Sequence, residues 1–284
     1  MTATTSNSGG ILSPEQVGAL VVQPFIDTSI AGQALTTVQI TTHEYRVPIV
    51  TADPSASWTA EGAEINVSDT DIDELTVTPK KLAALTIITN ELANDSSPQA
   101  AQVIGDGLVR DLTRKTDQAL FATAAITNGP QTGETLGTLT GISTISAGAS
   151  FTNADAFSDA IYAAADANAV IDTFVTNPAT AMELSKLKEA TGSNKPLLGS
   201  DATLPGQRQI LGVPLLTSPA VPTTGKVVWG ISRANAYLVI REGAEVVADS
   251  SAYFSSDRTA IRAKLRVGFA FPHPKSIVKI TVSA

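Results

Sequence analysis

A switch of hydrophobic period inside one stretch constrains this chain more than any other feature. Ile65, Val67, Leu75 and Val77 alternate with polar neighbours, the two-residue period of strands with one exposed face. After Asn94-Asp-Ser-Ser-Pro98 the period becomes 3.6. Ala101, Ile104, Leu108, Leu112 and Ala119 fall on one helical stripe, with Arg110, Arg114 and Lys115 near its far side. Ser97 suits an N-cap and Pro98 the first helical position, where a missing N–H costs nothing. The spacing predicts a helix from Pro98 to about Ala125, on the order of 40 Å long at 1.5 Å per residue. The strands ahead of it predict a two-stranded ribbon. It opens at Trp58-Thr-Ala-Glu61-Gly-Ala-Glu64 and passes through Asp69-Thr-Asp71-Ile-Asp73-Glu74 before the apolar run from Leu82 to Ile88. A lone hairpin is marginally stable in water. The ribbon therefore has to rest on something else, and a neighbouring subunit is the economical support.

Charge is segregated along the chain. Between Glu44 and Pro79 stand eight acids and one base, Arg46, while Arg258 to Ala284 holds six bases and no acid. Such a split suits contact between copies of one chain. The ribbon acids Glu61, Glu64, Asp69, Asp71, Asp73 and Glu74, together with Trp58, are therefore candidate intersubunit residues. Their candidate partners are Arg110, Arg114 and Lys115 on the long helix and Arg262, Lys264 and Arg266 near the C-terminus. A net charge of −8 argues against a dedicated nucleic-acid binder, whose affinity rests on a basic surface, but not against enclosing nucleic acid.

The length of 284 residues, with 43% apolar and 16% charged residues, suits a folded protein with an ample core. The absence of cysteine excludes disulfides, thiol catalysis and cysteine-ligated zinc. No apolar run reaches the roughly 18–20 residues that span a bilayer, and no secretory signal is visible at the N-terminus.

Along the chain, residues 1–10 are small and polar, and Ser13-Pro-Glu-Gln16 has capping-box spacing for a short helix toward Val21. Gln23 to Thr42 is weakly patterned, as in an arm lying along a surface. Glu44 to Val50 reads as a strand that Pro48 confines to an edge or a bend. Asn128 to Ile142 is Gly- and Thr-rich and must be loop or hairpin. A second unit then begins, with a helix marked by Phe157, Ile161 and Ala165, a buried strand at Ile171–Val175, and a helix at Pro178–Leu187. Gly192 to Gln207 is a polar loop. Short strands follow at Ile210–Leu216, Val227–Ile231, Tyr237–Ile240 and Glu245–Val247. Two last strands, Ala260–Phe271 and Ser276–Val282, are joined across Pro272-His-Pro274.

No motif favours catalysis. Asp69-Thr-Asp-Ile-Asp-Glu resembles half a calcium loop, but Glu74 stands where glycine is needed and Lys80 where the bidentate glutamate belongs. The Gly-rich 129–141 stretch lacks Gly-Lys-Ser/Thr. Only His43 and His273 exist, neither at metal-ligand spacing, and nothing places two carboxylates in an apolar pocket. Trp58 reads as an anchoring aromatic at the foot of the ribbon, and Trp229, in an apolar strand, as core.

Several segments stand in a definite order along the chain: Trp58-Thr-Ala-Glu-Gly, Val77-Thr-Pro-Lys-Lys-Leu-Ala, Thr89-Asn-Glu-Leu-Ala-Asn-Asp-Ser, Asp117-Gln-Ala-Leu-Phe and Leu139-Thr-Gly-Ile. Thr176-Asn-Pro-Ala, Ile210-Leu-Gly-Val-Pro-Leu and Arg266-Val-Gly-Phe-Ala-Phe…Pro274 follow. In this order they resemble the major capsid proteins of tailed bacteriophages. The resemblance implies an α+β phage capsid fold: N-arm 1–43, E-loop ribbon 44–80, peripheral domain 81–149 with the long spine helix and Gly-rich loop, axial domain 150–250, and peripheral C-terminal strands 251–284. It implies a non-enzymatic shell subunit without cofactor, forming hexamers and pentamers of an icosahedral virion around DNA that it binds without sequence specificity. Assembly would take place in the host cytoplasm, with a separate scaffolding protein, a portal and a decoration protein as further partners and no membrane. An encapsulin-like nanocompartment shares the fold and is the alternative function. A surface binding module is a second, which the missing signal peptide disfavours.

Some members of that family join ribbon lysine to a neighbour's asparagine, helped by an acid. Here no lysine lies between Arg46 and Lys80, and Ser255–Lys264, the matching peripheral segment, contains no asparagine. The expectation is a shell without covalent cross-links.

Overall fold

The computed structural model describes residues 29–52, 56–59, 62, 64, 71–90, 99–190, 193, 195–198, 208–249, 251 and 253–283. The proposed capping box at 13–16, Glu61, Ile65, Val67 and Asp69 lie outside them.

The long helix, α2 (Gln99–Leu120), follows a short one, α1 (Ile30–Ala34). Its buried face differs from the expected stripe. Leu112 and Ala119 are buried, but so are Thr113, Thr116 and Asp117. The two threonines satisfy their hydroxyls on the carbonyls one turn back, Val109 O at 2.8 Å and Leu112 O at 3.0 Å. The helix also ends before Ala125, because the Gly-rich loop returns to its C-terminus and takes the carbonyls left without intrahelical partners. The Leu136 amide donates to Leu120 O at 2.9 Å and Thr135 Oγ1 to Ala122 O at 2.9 Å. Gly137 permits this approach: a Cβ there would sit 2.4 Å from the Ala122 carbonyl oxygen.

A four-stranded sheet in the order β1-β10-β11-β4 lies against α2. Its strands are β1 (Thr36–Ile40), β10 (Tyr237–Asp249), β11 (Arg258–Ala270) and β4 (Lys80–Thr89). Tyr237–Ile240 and Glu245–Val247, expected as two strands, are one strand interrupted by a register shift after Arg241. The Gln23–Thr42 segment is no surface arm throughout its length. Ala31, Ala34 and Leu35 are fully buried, and β1 pairs in parallel with β10. Periodicity could not show this, since a short edge strand and a five-residue helix are each too brief to display one.

The six-stranded sheet runs β5-β12-β9-β6-β8-β7. It contains β5 (Ser143–Ser146), β12 (Val278–Thr281), β9 (Val228–Ile231), β6 (Thr173–Thr176), β8 (Val213–Thr217) and β7 (Arg208–Ile210). Asn177 caps α4 (Pro178–Ser185) by accepting the Ala179 amide at 3.0 Å. The helix α3 (Asp155–Asp166) packs on β5 and β12 through Phe157, Ala160 and Ala164, whereas Ala165 points outward. Phe157 stacks on Phe151 and meets Phe174 edge-on. The Ile210–Leu216 run is not one strand but a hairpin: Leu211 (φ 52°) and Gly212 (φ 83°) form the two-residue turn between β7 and β8.

The sheets do not follow the segment boundaries expected at 150 and 250. The strand β5 joins the six-stranded sheet, β10 the four-stranded one, and β12 crosses to the six-stranded sheet after Pro272–Pro274. One apolar cluster spans both, joining Leu238, Leu265 and Phe269 to Val175, Trp229 and Ile231, so Trp229 is core as expected.

Candidate intersubunit surfaces

The acidic ribbon forms from β2 (Tyr45–Ala52) and β3 (Asp71–Val77), paired antiparallel with Tyr45 opposite Val77. Pro48 is accommodated because both strands of a two-stranded ribbon are edges. The ribbon's root rests on the four-stranded sheet, where Tyr45, Leu75 and Val77 pack with Val239, Ala270, Tyr237 and Ile40. Gly268 makes this seat possible, since a Cβ there would lie 2.8 Å from Val77 Cγ1.

Cross-strand pairing sorts the ribbon's side chains onto two faces. Val47, Ile49, Leu75 and Asp73 share the face that Val77 turns toward the sheet. Arg46, Glu74 and Ile72 share the other. The acids are thus divided. Glu74 is already engaged by Arg46, Oε1 to Nε at 3.3 Å, whereas exposed Asp73 lies on the underside. Glu64 is exposed in the connection between the strands. Trp58, expected at the ribbon's foot, sits in that same distal connection with its whole side chain exposed. Alternation alone could not place it, because alternation marks a strand without naming its partner, and the partner of β3 is β2.

The basic residues also separate. On β11, Ile261, Ala263, Leu265 and Val267 are buried on the side of α2. Arg258, Arg262, Lys264 and Arg266 alternate with them and face outward, Arg258 and Arg262 exposed and Lys264 and Arg266 partly so. Register puts Arg241, Arg266 and Lys81 side by side across three strands, Lys264 opposite Glu245, and Arg262 opposite Leu85. Leu85 and Ile87 are 61% and 41% exposed on this outer face. Three cations abreast repel one another, and neither Arg266, Arg241 nor Lys81 makes an ion pair with a described residue. Arg110, Arg114 and Lys115 lie on the exposed side of α2, across the helix–sheet layer, and Arg114 pairs with Asp111 at 3.7 Å. The two basic sets do not make one patch.

One buried group was missed in the sequence. Asp117 projects from α2 onto the start of α1, accepting Ser29 Oγ–H at 2.7 Å, Ile30 N–H at 3.2 Å and Ala31 N–H at 3.0 Å. Ser29 Oγ in turn accepts Gly32 N–H at 3.3 Å. A five-residue helix cannot sustain itself in isolation, and here a carboxylate from another element satisfies its free amides. Burial pushes the Asp117 carboxyl above its ordinary value, while the hydrogen bonds from Ala31, Ser29 and Ile30 pull it back only in part. The legible signal was a polar residue at helical spacing among Leu112, Thr113, Thr116 and Leu120.

The model of the phage capsid family matches residues 9–282. The chain belongs to the phage capsid family. A curated relative, the capsid polyprotein of Pseudomonas phage PAJU2, is 26% identical over 224 residues, 75% of this chain but 32% of the polyprotein. The chain thus spans about a third of that relative's length. Among solved structures, the capsid of an empty GTA particle computed with C5 symmetry is similar with a TM-score of 0.72 at 18% identity, covering 100% of this chain and 95% of that one. A chain of Microbacterium phage Oxtober96 gives a TM-score of 0.72 at 18% identity, covering 99% and 96%. The phage capsid fold, α+β as expected, is therefore the fold of this chain.

Within that capsid fold, an asparagine does stand beside the peripheral segment, contrary to expectation. The peripheral segment itself lacks asparagine, but Asn90 at the end of β4 lies beside it, donating Nδ2–H to Asp257 Oδ1 at 2.6 Å and accepting Thr259 Oγ1–H at 2.5 Å. An asparagine and an acid are thus adjacent, brought together by the β4–β11 ladder across a long sequence separation. Only the ribbon lysine is wanting.

Proposed function

We propose that this chain is the structural subunit of an icosahedral virion shell, built as hexamers and pentamers around a DNA genome and without catalytic function. Residues 44–80 serve as the E-loop, the four-stranded sheet with α2 as the peripheral domain, and the six-stranded sheet as the axial domain. A portal and separate scaffolding and decoration proteins complete the partners, with assembly in the host cytoplasm.

The single observation behind this reading is the complementarity of two surfaces that one subunit cannot bring together. The ribbon's underside carries Val47, Ile49, Leu75 and Asp73; the outer sheet face carries Leu85 and Ile87 beside Arg262, Arg266, Arg241 and Lys81. The ribbon's root occupies its own sheet at Val239 and Ala270, and Leu85 and Ile87 stay uncovered. A neighbour's ribbon supplies the missing carboxylates and covers the exposed leucine and isoleucine.

The chain has no cysteine, so a pair of introduced thiols reports this contact without background. Asp73→Cys with Leu85→Cys is expected to give oligomer ladders from oxidised particles on non-reducing gels. Reduced, boiled wild-type particles should run as one band near 29.3 kDa, because no ribbon lysine is present for an isopeptide bond. Assembled particles that remain uncross-linked with the cysteine pair would count against the docking. Covalent ladders from wild-type particles would refute the noncovalent shell.

A further inference from the structure

We infer that Trp58 is the anchor of the ribbon's far end and seats in a groove of a second copy of this chain, walled by Lys80 and the loop that follows α2. The inference rests on the proposed reach of the ribbon to a neighbour. The groove is open to solvent, offers about 650 Å³ and is lined by Lys80, Ile126, Thr127, Asn128 and Gln131, with Ala125 and Gly129 beside them. Its wall is held in place before any partner arrives. Gln131 Nε2 donates to Gly129 O at 2.7 Å and Ile126 O at 3.3 Å, and the Gln131 amide donates to Glu134 Oε2 at 2.7 Å. The Ile126 amide donates to Pro130 O at 3.0 Å. A preformed wall spares a ligand the entropy of ordering it.

The chemistry of groove and tip is complementary. Lys80 is the one charged residue lining the groove and has no ion-pair partner among the described residues. Trp58 offers an indole face to an ammonium, and Glu64, exposed in the same connection, offers a carboxylate. The chain already uses the first of these contacts inside its core, where Lys279 Nζ lies 5.5 Å from the Trp229 ring centroid. A fully exposed tryptophan is costly in water, and large aromatics of this kind dominate interfaces once buried.

The occupant is a second copy because the subunit's own Trp58 is fully exposed, outside its own groove, with the length of the ribbon between the two. Lys80 stands three residues beyond Val77, at the ribbon's root. The paired strand from Val77 to Asp71 carries the tip roughly 20 Å from that root at about 3.3 Å per residue.

The test uses the full chain in assembled particles. Thr59→Cys, next to Trp58, paired with Thr127→Cys in the groove wall should give disulfide-linked oligomers on oxidation. Trp58→Ala should raise the protein concentration needed for assembly about 30-fold, the scale of a single interface hot spot. Lys80→Glu should impair assembly and Glu64→Lys added to it should restore it. Trp58 emission, taken as the difference between wild type and Trp58→Phe, should shift to the blue on assembly. The inference is overturned if particles of the Thr59/Thr127 pair stay uncross-linked while the Asp73/Leu85 pair links. If neither pair links in intact shells, the ribbon docking itself fails. Should the cysteines impede assembly, the emission decides: an unshifted Trp58 in wild-type shells overturns the groove assignment.

Discussion

Replacing Asp117 with alanine is expected to lower the stability of the subunit by about 3 kcal/mol, among the larger effects of a single substitution. The carboxylate is buried, and three donors converge on it from Ser29, Ile30 and Ala31. Truncation leaves those buried donors without an acceptor, and each unsatisfied group costs about 1–3 kcal/mol. Asp117→Asn should cost less. Its remaining carbonyl oxygen can keep the Ser29 and Ala31 hydrogen bonds now made by Oδ1, while its amide meets the Ile30 N–H donor to donor. In thermal unfolding of dissociated subunits the alanine variant should melt about 6–12 °C lower, at roughly 2–4 °C per kcal/mol for a chain of this size.

The pH dependence has a definite sign. The carboxyl's ordinary value is 3.8 and its folded value is higher. Below the ordinary value the group is protonated whether the chain is folded or not. As pH rises through the interval up to the folded value, the unfolded chain releases the proton first, so stability from this group falls. Wild type should therefore exceed the asparagine variant by more on the acid side of that interval than at neutral pH. An alanine variant as stable as wild type would remove Asp117 as the clamp of α1.

Reversing Asp69, Asp71 and Asp73 to lysine should abolish shell formation while leaving the subunit folded. Single exposed ion pairs are worth only about 0–1 kcal/mol, yet each reversal also replaces attraction by repulsion, and the contact recurs at every subunit of a shell. Of the three, Asp73 is exposed on the ribbon's underside, away from the core, so unfolding should be unchanged. The companion variant Arg262→Glu with Arg266→Glu should fail in the same way, and the two together should recover assembly in part. Salt provides an independent reading. The screening length falls from about 10 Å at 0.1 M to about 3 Å at 1 M, so high salt should relieve the reversed ribbon and weaken wild type. Glu74→Lys should matter less, because Glu74 faces away from the sheet beside Arg46. Normal shells from the triple variant at both salt concentrations would refute the charge-guided docking.

How much of this was legible follows from the range of the forces involved. The 3.6-residue period located α2, and the apolar run Ile171–Val175 located β6, because both signals are local; the expected helix start at Ser97-Pro98 lies outside the described residues. The end of α2 was not legible: it is set by Leu136 and Thr135 returning to the last carbonyls, a contact decided by a glycine's missing Cβ at position 137. The partner of β3 was misread for a similar reason, since alternation marks a strand but not its mate. The basic residues of β11 were found by composition, whereas their row with Arg241 and Lys81 exists only once three strands from distant parts of the chain are in register. Asn90 beside Asp257 and Asp117 beneath Ser29 are likewise products of tertiary pairing. Family resemblance compensated for part of this gap by supplying the order of elements, though not which sheet each strand joins.

Electron microscopy of the purified full-length chain tests the central claim most directly. Closed angular shells of hexamers and pentamers are expected, with each subunit's ribbon lying over the outer face of a neighbour's four-stranded sheet. Small uniform cages without room for a genome would contradict the virion assignment. Monodisperse monomers at high concentration, with or without a scaffolding protein, would contradict the shell itself.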